Sequence, residues 1–196
     1  QRGHGESPPR NGMAAMTTHI DSRIGMLMGT LRELRLDRNT WVIFTADHGD
    51  ALFDHDLTAK GDFFAGSCRV PLLIAPPDTF MPRCRPDRVS HADTTTPAAL
   101  QDLMPTILEM AGVPIPGNVT GQSLLSHFTQ EKPSFRPITC GNIGSIYGAT
   151  DGRYKYCWHS DEGHELLFDQ DTDPRDCRDL ADDREHQPHL QRLRPH

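Results

Sequence analysis

The stretch from Trp41 to Lys60 decides the fold, and it reads W-V-I-F-T-A-D-H-G-D-A-L-F-D-H-D-L-T-A-K. Its first four residues are apolar and favour β-structure, which predicts a short parallel strand that is buried on both faces. Asp47 and His48 follow after two small residues, because a buried strand could not carry them into the core at tolerable cost. Since open α/β sheets hold ligands at the carboxyl ends of their strands, this pair is placed to share a cation.

The same stretch resembles the second metal-binding motif of sulfatases and of the closely related phosphonate monoester hydrolases, in the alkaline phosphatase superfamily. In that family the Asp and the residue after it bind a divalent metal, so the resemblance implies that Asp47 and His48 are metal ligands. A Lys farther along contacts the sulfate or phosphonate, and Lys60 stands thirteen residues after Asp47. The resemblance therefore implies a catalytic role for Lys60, whose ammonium group would clamp a dianionic group beside the metal.

The resemblance covers nearly the whole chain. It extends to the helix before the metal strand, the next strand, the following helix and the C-terminal segment of the family, which correspond to residues 13–36, 69–74, 102–112 and 165–181. It implies an α/β fold, with part of an alkaline-phosphatase-like mixed sheet flanked by helices and then a small antiparallel C-terminal sheet.

We expect two domains on the same basis. Residues 1–113 would be the C-terminal part of the catalytic domain, with half of the metal site. Residues 114–196 would form a small α+β subdomain, because short segments and the hairpin signal Asp151-Gly152 replace the helical patterns there. The return strand after this turn alternates aromatic residues with Lys155, Cys157 and His159, which predicts one buried aromatic face.

The function that the resemblance implies is hydrolysis of a small sulfate ester by a metal-dependent enzyme with a formylglycine nucleophile. The family carries that nucleophile and further acidic ligands in an N-terminal region that we do not find here. We therefore expect an incomplete fragment with little or no esterase activity. Calcium is the expected metal for a sulfatase, with manganese or magnesium as alternatives. A phosphonate or phosphate ester hydrolase of the same superfamily, and a non-catalytic remnant or partner subunit, are the competing interpretations.

Two short motifs suggest other chemistry and fail on inspection. Cys84-Arg85-Pro86-Asp87-Arg88 spells the C-x-P-x-R skeleton of the formylglycine motif, but it follows Lys60 in a proline-rich loop, whereas the family has it upstream of the metal strand. Asp169-x-Asp171-x-Asp173 begins like a calcium loop, but Pro174 and Leu180 occupy the positions that need Gly and Glu. We interpret the first as coincidence and the second as an exposed acidic turn.

The loop after the metal pair is acidic, with Asp50, Asp54, His55 and Asp56. Such groups can orient metal ligands from outside the coordination sphere. Solvated loop charge is the more common role for residues of these types, and we favour it for all four.

Composition limits the other possibilities. A chain of 196 residues with a net charge of −7 has room for a sizeable core, and its charge disfavours binding to nucleic acid or to an anionic membrane. No run is long enough to span a bilayer. The five cysteines are odd in number and widely spaced, which argues against a disulfide framework and favours a reducing compartment such as the cytoplasm. The oligomeric state is left open.

The amphipathic pattern before the metal strand predicts one long helix. Its apolar residues recur in steps of three and four at Ile20, Ile24, Leu27, Leu31 and Leu34. A second helix is expected from Asp102 as its N-cap to Gly112 as its stop signal, with Leu103, Ile107, Leu108 and Ala111 facing the core.

Overall fold

The structure is a computed structural model that describes residues 8–84, 96–130 and 133–194. Within these ranges the helices are α1 (Pro8–Glu33), α2 (Ala65–Cys68), α3 (Leu103–Met110), α4 (Ser126–Thr129) and α5 (Gln187–Leu193). The strands are β1 (Val42–Thr45), β2 (Leu72–Ala75), β3 (Thr139–Ile143), β4 (Ile146–Thr150), β5 (Tyr154–His159) and β6 (His164–Asp169). The predicted α/β class is confirmed.

The chain separates into two compact units. The first comprises Gln1–Phe44 and Leu72–Pro82, and the second comprises Thr45–Pro71 and Arg83–His196. The predicted domain boundary at residue 113 stays a prediction.

The first unit contains α1 and a sheet in which β1 pairs with β2. The rings of Trp41 and Phe80 pack with their centroids 4.6 Å apart. The long helix was predicted correctly, but its apolar stripe is largely exposed, as Leu27 at 60% shows. The expected burial of β1 on both faces is also wrong, since Phe44 is 40% exposed. None of the four residues of β1 is fully buried.

The second unit contains an antiparallel sheet in the order β3-β4-β5-β6. The predicted hairpin is present, with a φ of 97° at Gly152. Its turn is longer than the predicted two residues, because Thr150 pairs with Lys155 and residues 151–154 lie between them. The buried core lies on one face of this sheet against α5 and comprises Ala149, Tyr154, Tyr156, Leu167, Leu180, Leu190 and Leu193.

The opposite face of β5 is buried as well. Sequence alternation assigned only the aromatic face to the interior, yet Lys155 is 6% exposed and Cys157 is 3% exposed. Phe63 lies close against the backbone of Gly148, which pairs with Cys157 across β4 and β5. Lys155 forms an ion pair with the buried Asp176. A second layer of chain therefore covers this face, and it also compensates the buried ammonium.

Helix α3 ends at Met110, and the predicted stop signal, Gly112, follows two residues later with a φ of 68°. Its buried face was predicted incorrectly, because Ile107 is 50% exposed whereas Asp102 and Thr106 are both 0% exposed. The hydroxyl of Thr106 donates to the Asp102 carbonyl at 2.5 Å and accepts from the Leu124 amide at 2.9 Å. Hydrogen bonding satisfies these polar groups, and so they can lie inside.

The five cysteines all lie in the described ranges, and none of them is in a disulfide there. Cys84 is buried at 9% exposure, whereas the rest of its C-x-P-x-R motif, from Arg85 to Arg88, lies outside the described residues. In the described part of the chain, no helix combines the length and apolarity needed to cross a membrane.

Candidate functional site

The candidate metal pair lies in the loop that follows β1. This strand ends at Thr45, and Asp47 and His48 come two and three residues later. The Asp47 side chain is 86% exposed and that of His48 is 41% exposed. Both groups are therefore accessible from solvent, which a ligand site requires.

The atoms of the pair have distinct partners. Nδ1 of His48 lies 2.7 Å from the carbonyl oxygen of Gly49, which can only accept, so Nδ1 carries the proton and donates. In the neutral ring Nε2 then presents its lone pair. Oδ1 of Asp47 accepts a hydrogen bond from the His48 amide at 3.0 Å, and Oδ2 lies 3.5 Å from Nε2 of His48.

This donor set fits a divalent cation. An imidazole nitrogen and a carboxylate oxygen face each other, and each group is fixed through its other polar atom, as is usual for metal ligands. In the ranges that the structure describes, no group of three or more His, Cys, Asp or Glu side chains is arranged to hold a metal ion. Asp47 and His48 would therefore supply only part of a coordination sphere.

The loop between the pair and Lys60 folds back on itself. The Ala51 amide donates to the Ala59 carbonyl at 2.7 Å, and the Phe53 amide donates to the Leu57 carbonyl at 2.8 Å. Ala59 directly precedes Lys60, and Ala51 comes three residues after His48. Their hydrogen bond therefore brings the two ends of the loop together. The Lys60 side chain is exposed and forms no ion pair or hydrogen bond with any of the described residues.

Helix α2 supports the loop next to the metal pair. The Gly49 amide donates to the Ser67 carbonyl at 2.7 Å. A Cβ at Gly49 would overlap the carbonyl oxygen of Gly66, so glycine is required for this close approach. The buried Asp62 accepts from the Phe64 amide at 2.7 Å and from the Ser67 hydroxyl at 3.2 Å.

Two of the loop residues that we assigned to solvent have protein partners instead. Asp54 accepts from Nη2 of Arg175 at 3.0 and 3.1 Å, and this bond raises the pKa of Arg175. His55 lies 2.9 Å from the carbonyl of Arg175 through Nε2 and stacks on Phe64 with ring centroids 4.0 Å apart. Asp50 accepts a local bond, from the Leu52 amide at 2.8 Å.

The turn after β6 is more buried than the sequence indicated. Asp169 is 4% exposed, so the prediction of an exposed acidic turn is wrong for this residue, whereas Asp171 is exposed. Asp176, which lies later in the turn, is 2% exposed. Arg153 donates to both oxygens of Asp169, at 3.1 and 2.8 Å, and holds the pKa of that carboxyl below its usual range. No local pattern signals these roles, because the partner in each case is distant in the chain or on another strand.

The comparisons with known proteins agree with one another. The family model described as Sulfatase matches residues 3–113. An arylsulfatase of Clostridium perfringens is 31% identical over 90% of this chain. Arylsulfatase K of Bos taurus is 30% identical over 85% of it. A solved structure of the phosphonate monoester hydrolase from Silicibacter pomeroyi is 27% identical and covers 90% of this chain with a TM-score of 0.73.

The chain spans about a third of the length of these relatives. The matched part is 37% of the Clostridium arylsulfatase, 32% of the bovine protein and 37% of the phosphonate hydrolase chain.

Proposed function

Because this chain belongs to the sulfatase family, we propose that it carries half of the active site of a metal-dependent sulfuric ester hydrolase. The observation that supports this most is the facing arrangement of Asp47 and His48, whose Oδ2 and Nε2 atoms are 3.5 Å apart at the end of a strand. In this proposal both side chains bind one divalent cation, calcium or manganese. When bound, such a cation supplies Lewis-acid stabilisation of the anionic oxygens of the ester.

Lys60 is proposed to bind the sulfate group of a small ester. Its ammonium is exposed and unpaired with any described residue, so it can contribute a full charge to an anion. The fold-back of its loop supports this role, because the bond between Ala51 and Ala59 returns the chain towards the metal pair. A cation at this position would stabilise the negative charge that develops on the ester or its leaving group.

The nucleophile, a formylglycine in this proposal, is expected outside these residues. The chain would then be an incomplete fragment, in agreement with its coverage of about a third of the relatives. We expect little or no turnover of an aryl sulfate such as p-nitrophenyl sulfate by the isolated chain. Measurable turnover that disappears in Lys60→Ala would contradict this part of the proposal.

A phosphonate ester is the second candidate substrate. The phosphonate monoester hydrolase structure, at 27% identity and a TM-score of 0.73, supports it. A sulfate monoester and a phosphonate monoester both present charged, tetrahedrally arranged oxygens to the metal and to Lys60. Binding of inorganic sulfate and of methylphosphonate, each with and without the metal, would compare the two classes.

The metal pair is tested by Mn²⁺ binding, followed by electron paramagnetic resonance of the free ion. We expect His48→Ala and Asp47→Asn each to weaken binding by about ten-fold or more. The matched controls are His164→Ala and Asp161→Asn, which remove the same group types from exposed positions of the hairpin between β5 and β6. Calcium should compete with Mn²⁺. Equal affinity in all four variants would refute the assignment of Asp47 and His48 as ligands.

A further inference from the structure

The turn after β6 reaches the loop that carries the candidate site. Arg175 donates through Nη2 to both carboxylate oxygens of Asp54, at 3.0 and 3.1 Å. Its carbonyl accepts from Nε2 of His55, which lies 2.9 Å away. Arg175 therefore holds the middle of the loop that leads to Lys60.

The next residue holds the other side of that loop. Asp176 is 2% exposed, and its Oδ2 accepts from the Ala65 amide at 2.6 Å and from the ammonium group of Lys155. Its Oδ1 accepts from the side chain of Gln170. Because Asp176 and Lys155 are both buried, their partners cannot be replaced by water without a large loss, and the position of Ala65 is well defined.

A short series of hydrogen bonds connects Asp176 to the metal pair. Ala65 is the first residue of α2, and Ser67 in the same helix accepts from the Gly49 amide at 2.7 Å. Gly49 directly follows His48 and accepts the bond from its ring at 2.7 Å. The orientation of the His48 ring thus depends on a backbone that α2 holds, and α2 is held by Asp176.

We propose that Arg175 and Asp176 are positioning residues that fix Asp47, His48 and Lys60 in their relative places. The inference rests on the proposed function for the role of those three groups, and it adds that the C-terminal turn determines their geometry. Ligands carried on a loop need such support, because a site on an unsupported loop has no defined geometry.

A purely structural role is the competing explanation, and the chain offers a matched control for it. Asp169 lies in the same segment, is also buried, at 4% exposure, and also forms an ion pair, with Arg153. In the described residues it makes no bond to the loop or to α2. Asp169→Asn should therefore lower stability without affecting the candidate site.

The experiment compares Arg175→Gln, Asp176→Asn and Asp169→Asn in the full chain. Amide hydrogen exchange, measured by NMR, reports opening at Gly49 and Ala51, whose amides are bonded to Ser67 and Ala59. We expect exchange to accelerate about ten-fold at Gly49 in Asp176→Asn and at Ala51 in Arg175→Gln. Mn²⁺ affinity should fall about ten-fold in both variants, and Arg175→Lys should recover part of that loss. Asp169→Asn should lower Tm and leave exchange and affinity unchanged.

The inference is overturned if Asp176→Asn and Arg175→Gln lower Tm like Asp169→Asn while exchange at Gly49 and Ala51 stays at the wild-type rate. If Asp176→Asn does not fold, Arg175→Gln decides, because Arg175 is 59% exposed and its replacement leaves the core intact. If the wild-type chain binds no Mn²⁺, the proposed function fails, and the exchange rates alone decide whether the turn positions the loop.

Discussion

Asp102 and Arg136 form a bidentate ion pair with the carboxylate completely inside the protein. Nη1 and Nη2 of Arg136 donate to Oδ1 and Oδ2 of Asp102 at 2.6 and 2.5 Å, and the Asp102 side chain has 0% exposure. The amides of Ala99 and Gln122 donate to the same oxygens, at 2.8 and 2.9 Å. The pair therefore ties the start of α3 to the segment that leads into β3.

Removal of Arg136 should be severely destabilising. Arg136→Met leaves a buried carboxylate without its counter-charge, and such losses cost about 3–5 kcal/mol. Urea denaturation followed by circular dichroism would measure it. The matched control is Arg194→Met, because Arg194 is 50% exposed and pairs with Glu165 near the surface, where a pair contributes about 1 kcal/mol or less. Similar losses of unfolding free energy in the two variants would show that the buried pair stabilises the fold no more than the surface pair does.

Gly49→Ala should disrupt the candidate site and the loop around it. The new Cβ would overlap the carbonyl oxygen of Gly66, so α2 or the loop must move, which typically costs about 1–3 kcal/mol. Thermal unfolding would show the lower stability, and Mn²⁺ titration should show weaker binding. Gly25→Ala is the control, because nothing lies within 4 Å of its Cβ and alanine favours a helix. An unchanged Tm for Gly49→Ala would contradict the close packing of Gly49 against Gly66.

Acid should destabilise the second unit through Asp169 and Glu165. Hydrogen bonds from Arg153 and Arg194 respectively lower the pKa of each carboxyl in the folded chain. Below about pH 5 the unfolded state therefore binds more protons than the folded state. The stability that the two carboxylates contribute is present above their unfolded pKa of about 4 and is lost as the pH falls.

Urea denaturation between pH 7 and about pH 2 measures that loss. Asp169→Asn should be less stable at pH 7, and its stability should depend less on pH in the acid range. A variant with the same acid dependence as the wild type would exclude Asp169 as a contributor.

Cys157 should react more slowly than the exposed Cys140 and Cys177. Burial raises its pKa to about 12, and the side chain is 3% exposed, so the thiolate is absent at neutral pH. Iodoacetamide followed by peptide mass spectrometry should label the exposed Cys140 and Cys177 in the native chain. Label should appear on Cys157 only when the chain unfolds. Because its folded pKa lies above the unfolded value of about 8.5, this contribution to stability is lost as pH rises. Rapid native labelling of Cys157 would contradict its buried position.

Local signals were sufficient for several elements. Gly112 follows α3 with a left-handed φ, and the Asp151-Gly152 pair lies in the turn of the predicted hairpin, because each depends on the conformational freedom of one or two residues. The strand before Asp47 was also found, since an apolar run followed by polar residues is a local pattern. The facing geometry of Asp47 and His48 follows from their adjacency and from the bond to Gly49.

The buried faces could not be read from periodicity. Ile107 was expected inside α3 and is half exposed, while Thr106 is buried because Leu124 and Asp102 satisfy its hydroxyl. Lys155 was expected outside β5 and is buried, because Asp176 supplies a counter-charge. Hydrophobicity alone predicts the burial of these residues incorrectly, since a polar group can be buried wherever the fold supplies its hydrogen-bonding or charged partner.

The sequence by itself determined the α/β class and, through its resemblance to known motifs, the family. It also predicted Asp47 and His48 as a metal pair, from their place directly after an apolar strand. Only the tertiary structure decided how that pair is held. The supporting bonds join residues 111 positions apart, as from Ala65 to Asp176, and 121 positions apart, as from Asp54 to Arg175. No local preference encodes such contacts, since they form only when chain closure brings a donor and an acceptor together.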